Sequence, residues 1–139
     1  MAANSFNQIY IHFVIVVKDR AKRITPALEP ILHKYISSII ENRKNKTLII
    51  NGSKDHVHIL IAMHNTESPS ALMLSVKQYS TKFIKSEGFC KDFSWQEGYA
   101  AFSYSKSQVK DVYNYIANQK EHHLYEGRHT RLVRLTRRV

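Results

Sequence analysis

The sequence has one cysteine, Cys90, in 139 residues. One thiol cannot close an internal disulfide, so a disulfide-stapled scaffold is excluded and a reducing cytoplasm is the expected home. Cys90 reads as a bystander in a loop. Glycine and proline are scarce, at four and three, which predicts long elements and few loops. No internal repeat or low-complexity linker interrupts the chain. Acidic residues are also short: 11 Asp and Glu stand against 21 Lys and Arg, for a formal charge of +10. That balance suits a polyanion, either nucleic acid or an anionic membrane surface. Long hydrophobic runs are missing. The longest aliphatic and aromatic run, Phe13 to Val17, is far too short to span a membrane. Met1 to Ser5 lacks the basic start and apolar core of a secretion signal, so a soluble cytoplasmic protein is expected. A hydrophobic fraction of 43% is that of a folded globule. The expected division is one domain over residues 1–127 and a basic tail over 128–139.

The remaining residues carry clear periodicities. Ile9 to Val17 is apolar and β-branched, as a central strand buried on both faces requires. Thr25-Pro26 opens a helix, with threonine as cap and proline in the first turn. Leu28, Ile31, Leu32, Tyr35, Ile36, Ile39 and Ile40 then recur at helical spacing to about Arg43. Thr47 to Ile50 predicts a second strand, Asn51-Gly52 a hairpin turn, and Asp55 to Met63 a third strand. Ser68-Pro69-Ser70 starts a second helix, with Leu72, Val76, Tyr79, Phe83 and Ile84 on one face, and Glu87-Gly88 ends it. Phe89 to Gly98 reads as an aromatic-rich loop and Tyr99 to Tyr104 as a fourth strand. Ser105 to Ser107 caps a third helix from about Gln108 to His123. With right-handed crossovers, β-α-β-β-α-β predicts an α+β, ferredoxin-like sandwich: a four-stranded antiparallel sheet with two helices on one face. The third helix is extra, and the open face or edge of the sheet is left for it.

Two features point to chemistry. On the third strand Val57, Ile59, Ile61 and Met63 share one apolar face, while His56, His58, Leu60 and Ala62 face the other way. Two imidazoles side by side can ligate one metal ion, with Asp55 capping the turn or orienting His56. Alone, such a pair more often marks half-buried, hydrogen-bonded histidines. On the third helix Tyr115 and Gln119 stand four apart and share a face. Alone, that pair is an amphipathic core residue and a solvated amide.

Together they change the reading. The strand ending in Val17-Lys18-Asp19-Arg20, the run Ile50-Asn51-Gly52 leading to Asp55-His56-Val57-His58-Ile59-Leu60-Ile61, and the helix with Val76-Lys77-Gln78-Tyr79-Ser80-Thr81-Lys82 follow one another in order. Phe93 to Ser103 and Tyr115-Ile116-Ala117-Asn118-Gln119-Lys120-Glu121-His122-His123 complete the series. Over about residues 8 to 123 the chain resembles the single-tyrosine HUH transposases of small bacterial and archaeal insertion sequences (the 200/605 type), whose relatives include the REP-associated tyrosine transposases. The resemblance implies that His56, His58 and Gln119 hold one divalent ion, Mg²⁺ or Mn²⁺, and that Tyr115 is the nucleophile. Tyr113 has Ala117 four residues on and is assigned to packing. The implied reaction cleaves and rejoins single-stranded DNA through a 5′-phosphotyrosine. The implied partners are DNA with hairpins at the element ends and a second copy of the chain in a homodimer with shared active sites.

Such a donor set suits the task. A phosphodiester repels nucleophiles, and a cation on it neutralises that charge. Two neutral imidazoles and an amide leave the cation its Lewis acidity. A free phenol titrates near pH 10, so the metal or a nearby lysine must assist Tyr115. Single strands bind in basic grooves with aromatic platforms, which nominates Arg20, Lys77, Lys82 and Lys85 for DNA. Trp95 and Phe102 are assigned to packing. His12, on the first strand, reads as a satisfied buried histidine ahead of a ligand. After His123 the chain departs from the family: Arg128, Arg131, Arg134, Arg137 and Arg138 form a tail that is either a DNA-binding extension or the trace of a frameshift. Two rivals remain, a domesticated relative that processes repeated hairpins and a non-catalytic module that binds single-stranded nucleic acid.

Overall fold

The computed structural model describes residues 6–119. The basic tail lies outside them, as do residues 120–123 of the expected third helix, whose α-helical part ends at Ala117 and not at His123. The elements run β1 (Tyr10–Val16), a 3-10 turn (Lys18–Arg20), α1 (Glu29–Asn42), β2 (Lys46–Gly52), β3 (His56–Ala62), α2 (Pro69–Ser86), β4 (Ala100–Tyr104) and α3 (Lys106–Ala117). The sheet has the order β2-β3-β1-β4, and every neighbouring pair is antiparallel. This is the ferredoxin-like arrangement expected from the element order.

The sheet separates two apolar layers. Ile11, Phe13, Ile15, Val57, Ile59 and Ile61 meet α1 and α2 through Leu32, Ile36, Ile40, Leu72, Val76 and Ile84. On the other face Leu60 meets Val112, Tyr115 and Ile116 of α3. The period-two reading of β3 therefore holds, and the extra helix covers the open face. Its start is fixed where the Ser105 N–H donates to Gln108 Oε1 at 2.9 Å, half of a capping box.

Three expectations need correction. The first helix becomes regular only at Glu29. Thr25 caps a preceding turn instead, its Oγ1 accepting from the Leu28 N–H at 3.2 Å. Asn51-Gly52 is not the hairpin turn: both residues lie in β2, paired with His58 and Val57, and the turn is Ser53 to Asp55. Gly52 is needed for close approach, since a Cβ there would lie 2.3 Å from the His56 carbonyl oxygen. Tyr79 is exposed. Its expected place on the core face of α2 is taken by buried Ser80, whose Oγ accepts from Trp95 Nε1–H at 3.0 Å. That bond lets an indole be buried without an orphaned donor.

Candidate functional site

The β3 strand projects His56 and His58 toward α3. Each ring is engaged at Nδ1. His56 Nδ1 lies 2.7 Å from Asp55 Oδ1 and 3.0 Å from Ser53 Oγ. The hydrogen bond from His56 is the main cause that holds the Asp55 carboxyl below its usual range. A carboxylate at Nδ1 fixes the proton there and leaves the Nε2 lone pair for a ligand. The Arg20 guanidinium stands 3.9 Å from the other Asp55 oxygen. It sits on the turn after β1, where Asp19 and Arg20 both have positive φ, 57° and 53°.

His58 is fully buried, and its Nδ1 lies 2.8 Å from His12 Nε2. Burial pushes His12 down to about 4, so it is a neutral imidazole at physiological pH. His12, expected as a satisfied buried histidine, is buried and touches a site residue, but it is satisfied only at Nε2: its Nδ1 meets no hydrogen-bond partner among the described residues. The pairing of Val14 with His58 and of His12 with Leu60 makes His12 and His58 diagonal neighbours on one face.

The α3 helix closes the site. The Tyr115 ring meets the His58 ring edge-on, centroids 5.8 Å apart, and Tyr115 is 2% exposed. Past the helix end, Gln119 Nε2 lies 3.2 Å from His56 Nε2. Gln119 Oε1 is buried with no hydrogen-bond partner among the described residues. Asn51, which sequence reasoning missed, sets this end of α3: its Nδ2 donates to Ile116 O at 3.0 Å and to Ala117 O at 3.3 Å. The signal was its parity with His58 across β2 and β3.

The donors suit a divalent cation. An amide oxygen buried without a donor is costly, and a half-turn of the Gln119 amide carries that oxygen toward the His56 lone pair. Among the described residues no three His, Cys, Asp or Glu side chains gather as a metal cluster. The side chains that meet here are two imidazoles and one carboxamide.

His56, His58, Tyr115 and Gln119 thus meet within one chain. Arg20 lies at their border through Asp55. The lysines do not join them, because α2 packs on the opposite face of the sheet. Lys77 is turned inward, its Nζ donating to Gln96 O at 2.7 Å and to Gly98 O. Lys82 and Lys85 are exposed on that far side. Tyr113 is 42% exposed, which does not fit the packing role assigned to it. Phe102 is half-buried and tilts against His12 at 5.7 Å.

The family described as "Transposase IS200 like" matches residues 5–119. No curated protein matches the chain. Among solved structures, a candidate transposase from Deinococcus radiodurans R1 has a TM-score of 0.67 at 16% identity, covering 86% of this chain and 96% of that one. A REP-associated tyrosine transposase bound to a REP hairpin also has a TM-score of 0.67, at 13% identity, covering 85% of this chain and 70% of that one.

Proposed function

The chain belongs to the IS200-like transposase family, and we propose that it cleaves and rejoins single-stranded DNA with Tyr115 as nucleophile. The observation that carries this reading is the meeting of Tyr115 and Gln119 with His56 and His58. His56, His58 and Gln119 would hold Mg²⁺ or Mn²⁺, which when bound supplies charge neutralisation at the scissile phosphate. The Tyr115 Oη–P bond forms as the P–O3′ bond breaks. The phenolic proton leaves, and the departing 3′ oxygen takes one up. The phosphotyrosine keeps the energy of the broken diester, so a second 3′-hydroxyl can reverse the step without ATP.

Tyr115 lies on the sheet-facing side of α3 and is nearly buried, so a phosphate can reach it only if α3 lifts or slides. Arg20, half-exposed beside Asp55, is the cation best placed to meet the DNA backbone there. The similar transposase described with a REP hairpin suggests DNA folded as a hairpin as the substrate context. A homodimer sharing sites would exchange α3 between chains. A monomer that still cleaves would remove that expectation. The rival reading as a binding module loses support from α3, which covers the sheet face that such a module would present to bases. No helix among the described residues is long and apolar enough to cross a membrane.

The test incubates the protein with hairpin-bearing single-stranded DNA from its own genetic context and Mn²⁺, then seeks a covalent adduct by denaturing gel and mass spectrometry. An adduct absent without metal and absent in Tyr115→Phe is expected. Survival in Tyr115→Phe would move the nucleophile, with Tyr113 next to test. No adduct despite tight binding would end the enzymatic reading.

A further inference from the structure

We propose that His12 is a positioning residue for His58: it accepts the His58 Nδ1–H and so turns the Nε2 lone pair of His58 outward, toward a bound cation. The proposal rests on the metal-site reading above. Its basis is that both histidines are gripped at the same atom. His56 is held at Nδ1 by Asp55, from the turn before its own strand. His58 is held at Nδ1 by His12, from the neighbouring strand β1, at 2.8 Å. With Nδ1 engaged in both rings, Nε2 is in each the nitrogen that can take a ligand. A metal-bound imidazole almost always donates its other N–H to an acceptor that sets its tautomer. For His58 that acceptor is an imidazole, where a carboxylate is more usual.

The His12 ring is held in place. It is 1% exposed, lies 5.0 Å from the His58 ring at an interplanar angle of 28°, and is flanked by Phe102 at 5.7 Å and Tyr104 at 6.4 Å. The direction of the hydrogen bond decides the function. If His12 donated from Nε2, a neutral His58 would carry its proton on Nε2 and could not ligate there. If His58 donates, its Nε2 carries the lone pair that can ligate, and the His12 proton sits on Nδ1, which meets no hydrogen-bond partner among the described residues. A neutral acceptor also adds no negative charge to the donor set, so the cation keeps more of its pull on a phosphate.

The experiment measures Mn²⁺ dissociation constants of the full chain by electron paramagnetic resonance for wild type, His12→Phe and His12→Gln, and reads the His58 tautomer from ring ¹⁵N shifts of the Mg²⁺-loaded chain. Phenylalanine keeps the ring and removes the acceptor. Glutamine places an oxygen near the position of Nε2. The expected result is an affinity loss of about 10–100-fold in His12→Phe, recovery to within about fivefold in His12→Gln, and a His58 protonated at Nδ1 in wild type. Unchanged affinity in His12→Phe would overturn the proposal. So would a wild-type His58 protonated at Nε2 in the loaded chain, a reading that stands even if the phenylalanine variant does not fold. His56→Ala in parallel separates the two failures. If it too binds Mn²⁺ normally, the metal-site reading falls; if it binds weakly while His12→Phe does not, only the positioning role falls.

Discussion

Adding one methyl at Gly52 tests how tightly the β2–β3 hairpin governs the site. A Cβ at this position lies 2.3 Å from the His56 carbonyl oxygen, 3.0 Å from Val57 Cα and 3.1 Å from the His56 carbonyl carbon. Relaxed carbon–oxygen contacts fall at about 3.3–3.6 Å, so the overlap with oxygen is roughly 1 Å. All three atoms are backbone, and no rotamer change relieves them. Overpacking generally costs about 1–3 kcal/mol, and a rigid clash belongs at the upper end. Gly52→Ala should therefore lose about 3 kcal/mol, a fall in Tm of about 10 °C for a domain of this size.

The strained peptide belongs to His56. Relief requires the strands to part where Gly52 pairs with Val57, which opens the Ser53 N–H bond to His56 O at 3.0 Å. His56 then moves relative to Gln119, and Mn²⁺ affinity should fall by about tenfold or more, as for other disturbed ligand supports. Urea melts followed by circular dichroism give the first quantity and calorimetric Mn²⁺ titration the second. Gly88→Ala is the control: its φ is 78° and nothing lies within 4 Å of an added Cβ, so backbone strain of about 1 kcal/mol is expected with metal binding untouched. A Gly52→Ala loss under about 0.5 kcal/mol at unchanged m-value would refute the close-approach argument. A full loss of stability with normal Mn²⁺ affinity would refute the link from hairpin to site.

Glu67 accepts from Arg43 Nε and Nη2 at 2.7 Å each and from Asn45 Nδ2 at 2.9 Å, and the Arg43 hydrogen bond is the main cause that holds its carboxyl at about 2. Its stabilisation should be full above the ordinary carboxylate value and drain away as pH falls from about 4.5 through 2; Glu67→Gln should cost about 2–3 kcal/mol at pH 7, a gap that closes near pH 2 in urea melts. Lys77→Met removes the ammonium that donates to Gln96 and Gly98 and should cost about 1–3 kcal/mol while leaving low-salt DNA affinity within about twofold. A tenfold loss of affinity would return Lys77 to the DNA interface. Trp95→Phe strips the buried donor to Ser80 and should cost about 1–2 kcal/mol by thermal melting; a neutral result would show that the Trp95–Ser80 bond does not hold the loop to α2.

What could be read in advance follows from which distances are local. The parity of β3 is a property of seven consecutive residues, so the separation of Val57, Ile59 and Ile61 from His56, His58 and Leu60 was legible, and with it the need for a cover on the histidine side. The i, i+4 spacing of Tyr115 and Gln119 is equally local. The supports of the site are not. His12 reaches His58 only because Val14 pairs with His58, an offset that no feature of either strand announces. Asn51 resembles a turn residue in every local respect, and only the register Asn51↔His58 turns its amide toward the end of α3. Ser80 replaces Tyr79 on the core side of α2 because a buried indole needs an acceptor for its N–H, and that indole arrives from residue 95. Each missed contact crosses between strands or layers. The proposed ligand set can therefore be named from two short motifs, whereas its geometry depends on the pairing of β1, β2 and β3. Substitutions that shift that pairing should disturb the site before they unfold the chain, and Gly52 is the position where the register and the site share one peptide.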